Sequence, residues 1–245
     1  MQWHERDGVR WLEADLPGAR AAFSTRLGGV SADPYASMNV AVKTGDHRDR
    51  VRENRHRLAG ALGRSPEDVV MGRQVHGAEL RWHDRRQEPR VYADVVRSPD
   101  EVDAHATAEP GLAPLVMVAD CLPIALSGPS GVAMVHGGWR GLRAGIVAAA
   151  VRRVEAEAAA IGPGIGPCCY EVGEEVLGAF AELEGVATGR MLDLTAVATR
   201  LLERAGVSQV EASGLCTSCN PELLFSHRRD GERTGRQAGL IWRQE

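Results

Sequence analysis

Three short stretches each end an apolar run on a side chain able to bind a soft or borderline metal ion. GRQVHGAEL carries His76 ahead of Gly77; VMVADCLPIAL carries Cys121 beside Asp120 and ahead of Pro123; GVAMVHGGWRGLRAG carries His136 ahead of two glycines. Singly they say little, because a lone histidine is more often structural and a cysteine in an apolar strand is usually a small buried hydrophobe. Together, two imidazoles and one thiolate make a three-ligand set that leaves a position open for water or substrate. That is the pattern of a catalytic zinc site rather than a structural one, and copper accepts the same donors. The three residues lie far apart in the chain, so their convergence is an expectation that the fold must meet.

Further chemistry clusters around them. Asp120 at a buried strand end would need a partner and is a candidate for moving a proton. Behind His136, a strand–glycine–helix arrangement through Trp139 and Arg140 lets backbone and guanidinium approach an anion at the positive end of a helix dipole; a tight turn with a packed Trp is the alternative. In IGPGIGPCCYEVGEEV the GxGxxG spacing of a dinucleotide loop is absent and prolines remove N–H donors. Residues 162–167 are expected to form a rigid rim, with Cys169, Tyr170 and Glu171 facing inward or packing below. Glu171 is a candidate general acid or base, or simply a charge on the first turn of the next helix. Cys168 and Cys169 with Cys216-x-x-Cys219 have the composition of a four-cysteine zinc site, but adjacent cysteines chelate poorly in extended chain, and no such site is expected. The Lys43-Thr44-Gly45 tripeptide has no SxxK or SDN companion, and 214–220 contains no GxSxG elbow.

The elements that must hold these residues are mixed. A strand and loop are expected over 20–42, then a helix over 47–62 with Asp46 as its cap and Val51, Leu58 and Leu62 at helical intervals. Short β-rich stretches follow at 69–71, 90–96, 115–119 and 131–135. Leu142, Ile146, Val147, Val151 and Val154 predict one amphipathic helix over 141–158. Further helices are expected at 174–183 and 194–205, and RQAGLIWR reads as a closing strand. Without a regular βαβ cadence, the class is α/β or α+β: layered mixed sheets covered by helices. No repeat or linker divides the chain, so residues 1–245 read as one domain.

Composition narrows the rest. Of 245 residues, 44% are apolar and 25% charged, enough for a sizeable core beneath an ordinary soluble surface. A net charge of -4 argues against a nucleic-acid protein. The N-terminal stretch carries charges where a signal peptide would need an apolar run, and the most apolar stretch is interrupted by Asp120. A cytoplasmic protein with no membrane segment is expected. Five cysteines, an odd number, then read as reduced thiols. Lys43 is the only lysine, there is no GxxxxGK[ST] loop, and arginine must supply any phosphate or carboxylate binding.

GRQVHG, ADCLPI, VHGGWRG, IGPGIGPCCYEVG and FSHRRDGERTGR, in this order, resemble the laccase-domain family, also called the YfiH or polyphenol oxidase family; FSTRLGGVS, ASMNV and GDHRDRVRENR extend the match toward the N-terminus. The resemblance implies a layered α/β sandwich whose ligands for zinc or copper are His76, Cys121 and His136. It implies purine nucleoside phosphorolysis, in which phosphate splits adenosine, inosine or methylthioadenosine into base and ribose 1-phosphate; adenosine deamination is also associated with the family. On that basis Arg140, Arg26 and Arg73 are candidate phosphate contacts, Asn39 a contact to ribose or base, and Glu171 or Asp120 the proton carrier. Two departures stand out: LFSHRR where FFSYRR is usual, which puts His227 near the nucleoside in place of a tyrosine, and His105 where an aliphatic residue is common. A cysteine hydrolase with Cys121 as nucleophile and His136 as base is the alternative. Four-copper oxidase chemistry is disfavoured, since the eight histidines include no HxH pair. Monomer and homodimer both remain open.

Overall fold

In a computed structural model, which describes residues 1–96, 98 and 100–244, two six-stranded sheets pack face to face. In chain order the strands are β1 (Gln2–Arg6), β2 (Val9–Leu16), β3 (Ala19–Ser24), β4 (Val69–Val70), β5 (Leu80–His83), β6 (Ala104–Thr107), β7 (Ala113–Val118), β8 (Leu122–Gly128), β9 (Gly131–Gly137), β10 (Ala158–Ile161), β11 (Ala187–Thr188), β12 (Met191–Leu192), β13 (Gln209–Ala212) and β14 (Gln237–Arg243). The helices are α1 (Arg48–Ala61), α2 (Trp139–Arg143), α3 (Ile146–Val154), α4 (Glu174–Gly178), α5 (Leu194–Arg204) and α6 (His227–Asp230). One sheet has the order β1-β2-β3-β14-β7-β4 and the other β13-β10-β8-β9-β6-β5; β11 and β12 form a separate hairpin. Pairing is antiparallel except where β4 joins β7, β5 joins β6 and β13 joins β10.

Strand alternation sorts side chains into three cores. Ala14, Ala21, Phe23, Val116, Ala125, Met134, Ala160 and Ile241 fill the space between the sheets. Their neighbours in sequence point outward: Ile124, Leu126 and Val135 meet α3 and α5, while Leu115, Leu240 and Trp242 meet α1. The small residues at the centre let the sheets approach closely. A Cβ on Gly239 would sit 2.6 Å from the Pro123 side chain of the facing sheet. The result is an α/β/β/α sandwich, the mixed and layered class that the sequence predicts. Among the described residues, no helix is long and apolar enough to cross a membrane.

Several local expectations need correction. The predicted helix over 141–158 is two helices, because Gly145 takes φ +89 and breaks the ladder between α2 and α3. The stretch 90–96 forms turns instead of a strand, and the buried Arg55 of α1 donates to the Val91 and Tyr92 carbonyls there. Asp46 does not cap α1; its carboxylate accepts from Ser31 and Asn39 and ties down the preceding loop. Finally, VMVADCLPIAL is two strands. The chain leaves one sheet at Val118, turns at Asp120 with φ +92, and enters the other at Leu122.

Candidate metal centre and its cleft

That sheet-to-sheet turn places Cys121 at the seam of the sandwich. His136 arrives on the neighbouring strand β9, where Pro123 of β8 is its register partner. His76 comes from the loop before β5 and adopts φ +61, an uncommon left-handed conformation for a non-glycine residue. One ligand atom from each of His76, Cys121 and His136 lies within 4.8 Å of the others. The two imidazole rings stand edge to face, 4.8 Å between centroids. The convergence expected from sequence is present.

A buried carboxylate organises the trio. Asp103, at the head of β6, accepts the backbone N–H groups of Val75, His76 and Gly77 at 3.0, 3.0 and 2.9 Å. Its Oδ1 also lies 2.7 Å from His136 Nδ1. With Nδ1 committed to Asp103, Nε2 of His136 is left to face Cys121. Burial alone would raise the Asp103 carboxyl, but the His136 bond and the loop N–H groups outweigh it and hold it below the usual range. The same contest runs along the chain of charges. Burial would raise the Cys121 thiol, yet His136 and His76 lower it to about 6. Burial would lower His136, yet Cys121 and Asp103 raise it to about 9.

The donor set fits a metal ion on two grounds beyond residue type. An Asp-oriented imidazole beside a cysteine whose thiol its histidine neighbours lower is the pairing that metal ligation uses. The space is also kept clear: a Cβ on Gly138 would stand 3.0 Å from the His76 ring and 3.2 Å from Cys121 Sγ.

The trio opens into a cavity of about 510 Å³, a size suited to small-molecule ligands. Of the predicted site residues, Asp120, Arg73, Arg140 and His227 line it together with the three metal-site donors. Arg140 rests over the Trp139 ring at 4.4 Å and has no carboxylate partner among the described residues. Arg73 is paired with Glu101. Asp120 accepts from the Thr217 hydroxyl and the Arg228 backbone N–H, both at 2.6 Å, so its carboxylate braces the wall of the cleft.

Three predicted residues are not brought to the cavity. Arg26 donates to the Ala36 and Pro221 carbonyls and lies over Phe225. Asn39 is fully buried, its amide spent on Ala41, Thr44, Asp46 and the N–H of Arg236. Glu171 points away and faces Arg190 at 3.3 Å. Sequence reasoning, in turn, missed Asp103 as the organiser and Lys43, Arg228 and Arg236 as cationic lining. Burial lowers the pKa of Arg236, whose guanidinium donates to the Thr234 and Gly235 carbonyls. The one available signal for Asp103 was an acidic residue opening the apolar stretch of β6.

A seam between two sheets that gathers a His–Cys–His donor set at a cleft defines a class, and comparison places the chain within it. Residues 20–244 match the family model described as multi-copper polyphenol oxidoreductase laccase. The purine nucleoside phosphorylase YfiH of Shigella flexneri is 39% identical over 239 residues, covering 92% of this chain and 94% of that protein. A purine nucleoside phosphorylase of Streptomyces coelicolor is 41% identical over 245 residues, covering 92% and 96%. The crystal structure of YlmD from Geobacillus stearothermophilus superposes with a TM-score of 0.87 at 36% identity, covering 99% of this chain and 98% of that one. The chain belongs to this laccase-like, YfiH-type family.

Proposed function

We propose that the protein is a purine nucleoside phosphorylase, a single cytoplasmic catalytic domain acting on adenosine, inosine or methylthioadenosine. The observation that carries this reading is the pairing of the His76–Cys121–His136 cluster with a cavity holding both aromatic and cationic walls. Trp139 and Tyr170 offer flat surfaces for a purine, and the exposed His227 extends that wall at the rim. Arg140, stacked on Trp139 and lacking an ion-pair partner among the described residues, is the best-presented phosphate contact, since a guanidinium fork grips phosphate in two places. Arg73 contributes charge from its pair with Glu101.

In the reaction a phosphate oxygen bonds to C1′ of the ribose as the bond from C1′ to the purine nitrogen breaks. The proton of hydrogenphosphate ends on the departing base. Arginines that fix phosphate against the sugar turn this into a reaction between held partners. Asp120 keeps the turn before Cys121 in place through Thr217 and Arg228. Asp103 fixes the ring of His136 and the loop of His76. Zinc, or copper in its place, would be held by His76, Cys121 and His136 and would supply Lewis-acid polarisation of a substrate oxygen or of water.

One further observation favours a second reading. Cys121, His136 and Asp103 form the nucleophile–base–orienter series of a cysteine hydrolase. Four-copper oxidation has no such support, because this cluster contributes only two histidines and the other donor cluster among the described residues is all cysteine.

The deciding test measures products from the three nucleosides with and without phosphate, for wild type and Cys121→Ala. Phosphate-dependent release of free base that vanishes in the variant is the expected result. Inosine formation from adenosine without phosphate would make deamination the main reaction. No turnover of any nucleoside, or phosphate-independent cleavage that survives removal of metal by a chelator, would favour the cysteine hydrolase. For Arg140→Ala the expected outcome is a KM for phosphate raised at least tenfold; an unchanged value would remove Arg140 from that role.

A further inference from the structure

Four of the five cysteines gather at a second place, outside the cavity. Cys168 and Cys169 follow Pro167 in a turn, and Cys216 and Cys219 frame another turn after β13. The adjacent pair is therefore not in extended chain, which removes the reason for expecting no site there. Both of its sulfurs lie 3.4 Å from Cys219 Sγ. All four sulfurs fall within 4.8 Å of one another. Around a tetrahedral zinc with bonds of about 2.3 Å, sulfurs would be spaced by about 3.8 Å. The cluster thus has the dimensions of a tetrathiolate shell.

Its surroundings fit the same ion. Cys219 is equidistant from Cys168 and Cys169, an arrangement suited to a shared centre more than to one S–S bond. The Gly166 N–H donates to Cys216 Sγ at 3.2 Å, orienting a sulfur as backbone amides do around metal thiolates. Gly166 is also close-packed: a Cβ there would meet Cys168 Sγ at 3.3 Å and the Cys216 Cβ at 3.2 Å. The two cysteine turns are already joined by Thr217 N–H to the Gly164 carbonyl at 2.9 Å. Cys168 and Cys219 are exposed, so an ion can enter from solvent.

We propose that Cys168, Cys169, Cys216 and Cys219 bind one zinc ion, a closed structural site separate from the His76–Cys121–His136 centre. Four thiolates leave no open position, so this ion acts as a clasp and not as a reagent. The clasp has a route to the cleft. Thr217, between its ligands, donates to Asp120, and the Arg228 guanidinium donates to the carbonyls of Cys169 and Glu171 while its N–H reaches Asp120. Fastening the two cysteine loops therefore holds both partners of the residue that precedes Cys121.

The inference is independent of the phosphorylase reading and is tested by counting metal, not turnover. His76→Ala/Cys121→Ser protein, purified with a thiol reductant and dialysed against metal-free buffer, should retain one zinc per chain. Adding Cys216→Ser and Cys219→Ser should remove it. Cobalt loaded into the first variant should give the intense thiolate-to-metal absorption of a four-sulfur tetrahedral site. Should the second variant not fold, native mass spectrometry of wild type reads the same site: one zinc ion released when exposed thiols are blocked, whatever metal the His76–Cys121–His136 centre holds. Zinc-free protein in the first variant, or recovery of these cysteines as disulfides under the same reducing conditions, would overturn the proposal.

Discussion

Asp103 does not line the cavity, yet it fixes two of the three candidate metal ligands. Its four hydrogen bonds set the His76 loop and the His136 tautomer together. Asp103→Asn should weaken metal retention by about 10–100-fold, the usual effect of losing a carboxylate behind a ligating histidine. Chelator competition on the folded variant measures this; unchanged retention would leave Asp103 a purely structural residue. Gly138→Ala is a sharper probe. Gly138 has φ -80 and ψ 154, which any residue adopts, so the added methyl tests only the space beside His76 and Cys121. We expect metal loss with little change in Tm. The three side chains that meet at the seam could be singled out in the sequence because their types are rare and chemically selective. Arg26 and Asn39 misled because the sequence does not reveal which distant carbonyls consume their N–H groups, and Asp103 was hidden because its partners come from another loop.

At the scale of elements, α1 is held to its neighbours by a charge. Arg55 is buried and donates to the carbonyls of Val40, Val91 and Tyr92. Burial lowers its pKa to about 10. Arg55→Met would strand these acceptors, and a loss on the order of 3 kcal/mol is expected from denaturant unfolding. β5 and β6 carry a second buried polar pair, with His83 Nε2 3.0 Å from His105 Nδ1. Burial is the first cause lowering both: His83 from 6.5 to about 4, and His105 from 6.5 to about 3. Between those values and 6.5 the unfolded chain binds more protons than the folded one, so stability falls as pH falls through that window. Melting curves from pH 7 to pH 4 should show this decline, and His83→Gln/His105→Gln should flatten it. An equal slope in both proteins would assign acid sensitivity elsewhere. The helix break at Gly145 shows what periodicity leaves out: the apolar face continues across it, while the backbone does not.

For the whole molecule, composition and mixed patterning were enough to indicate layered sheets under helices, but strand order was not readable, since it depends on pairings between distant segments. The last strand is the clearest case. β14 lies between β3 and β7 at the centre of its sheet. Deleting residues 237–243 should abolish cooperative unfolding altogether, rather than lower Tm by a few degrees; a cooperative melt in the truncated protein would show that each side of the sheet stands alone. The same strand sets a timetable. Ala238 reaches back to Ser24 across 214 residues, a stretch the ribosome needs on the order of ten to forty seconds to translate. Throughout that interval β3 carries a bare edge, the kind of surface that pairs with whatever strand arrives first. Holding that edge apart from other strands until β14 is made should therefore raise the yield of folded protein, and co-expression of a holding chaperone, read as the soluble fraction, checks this.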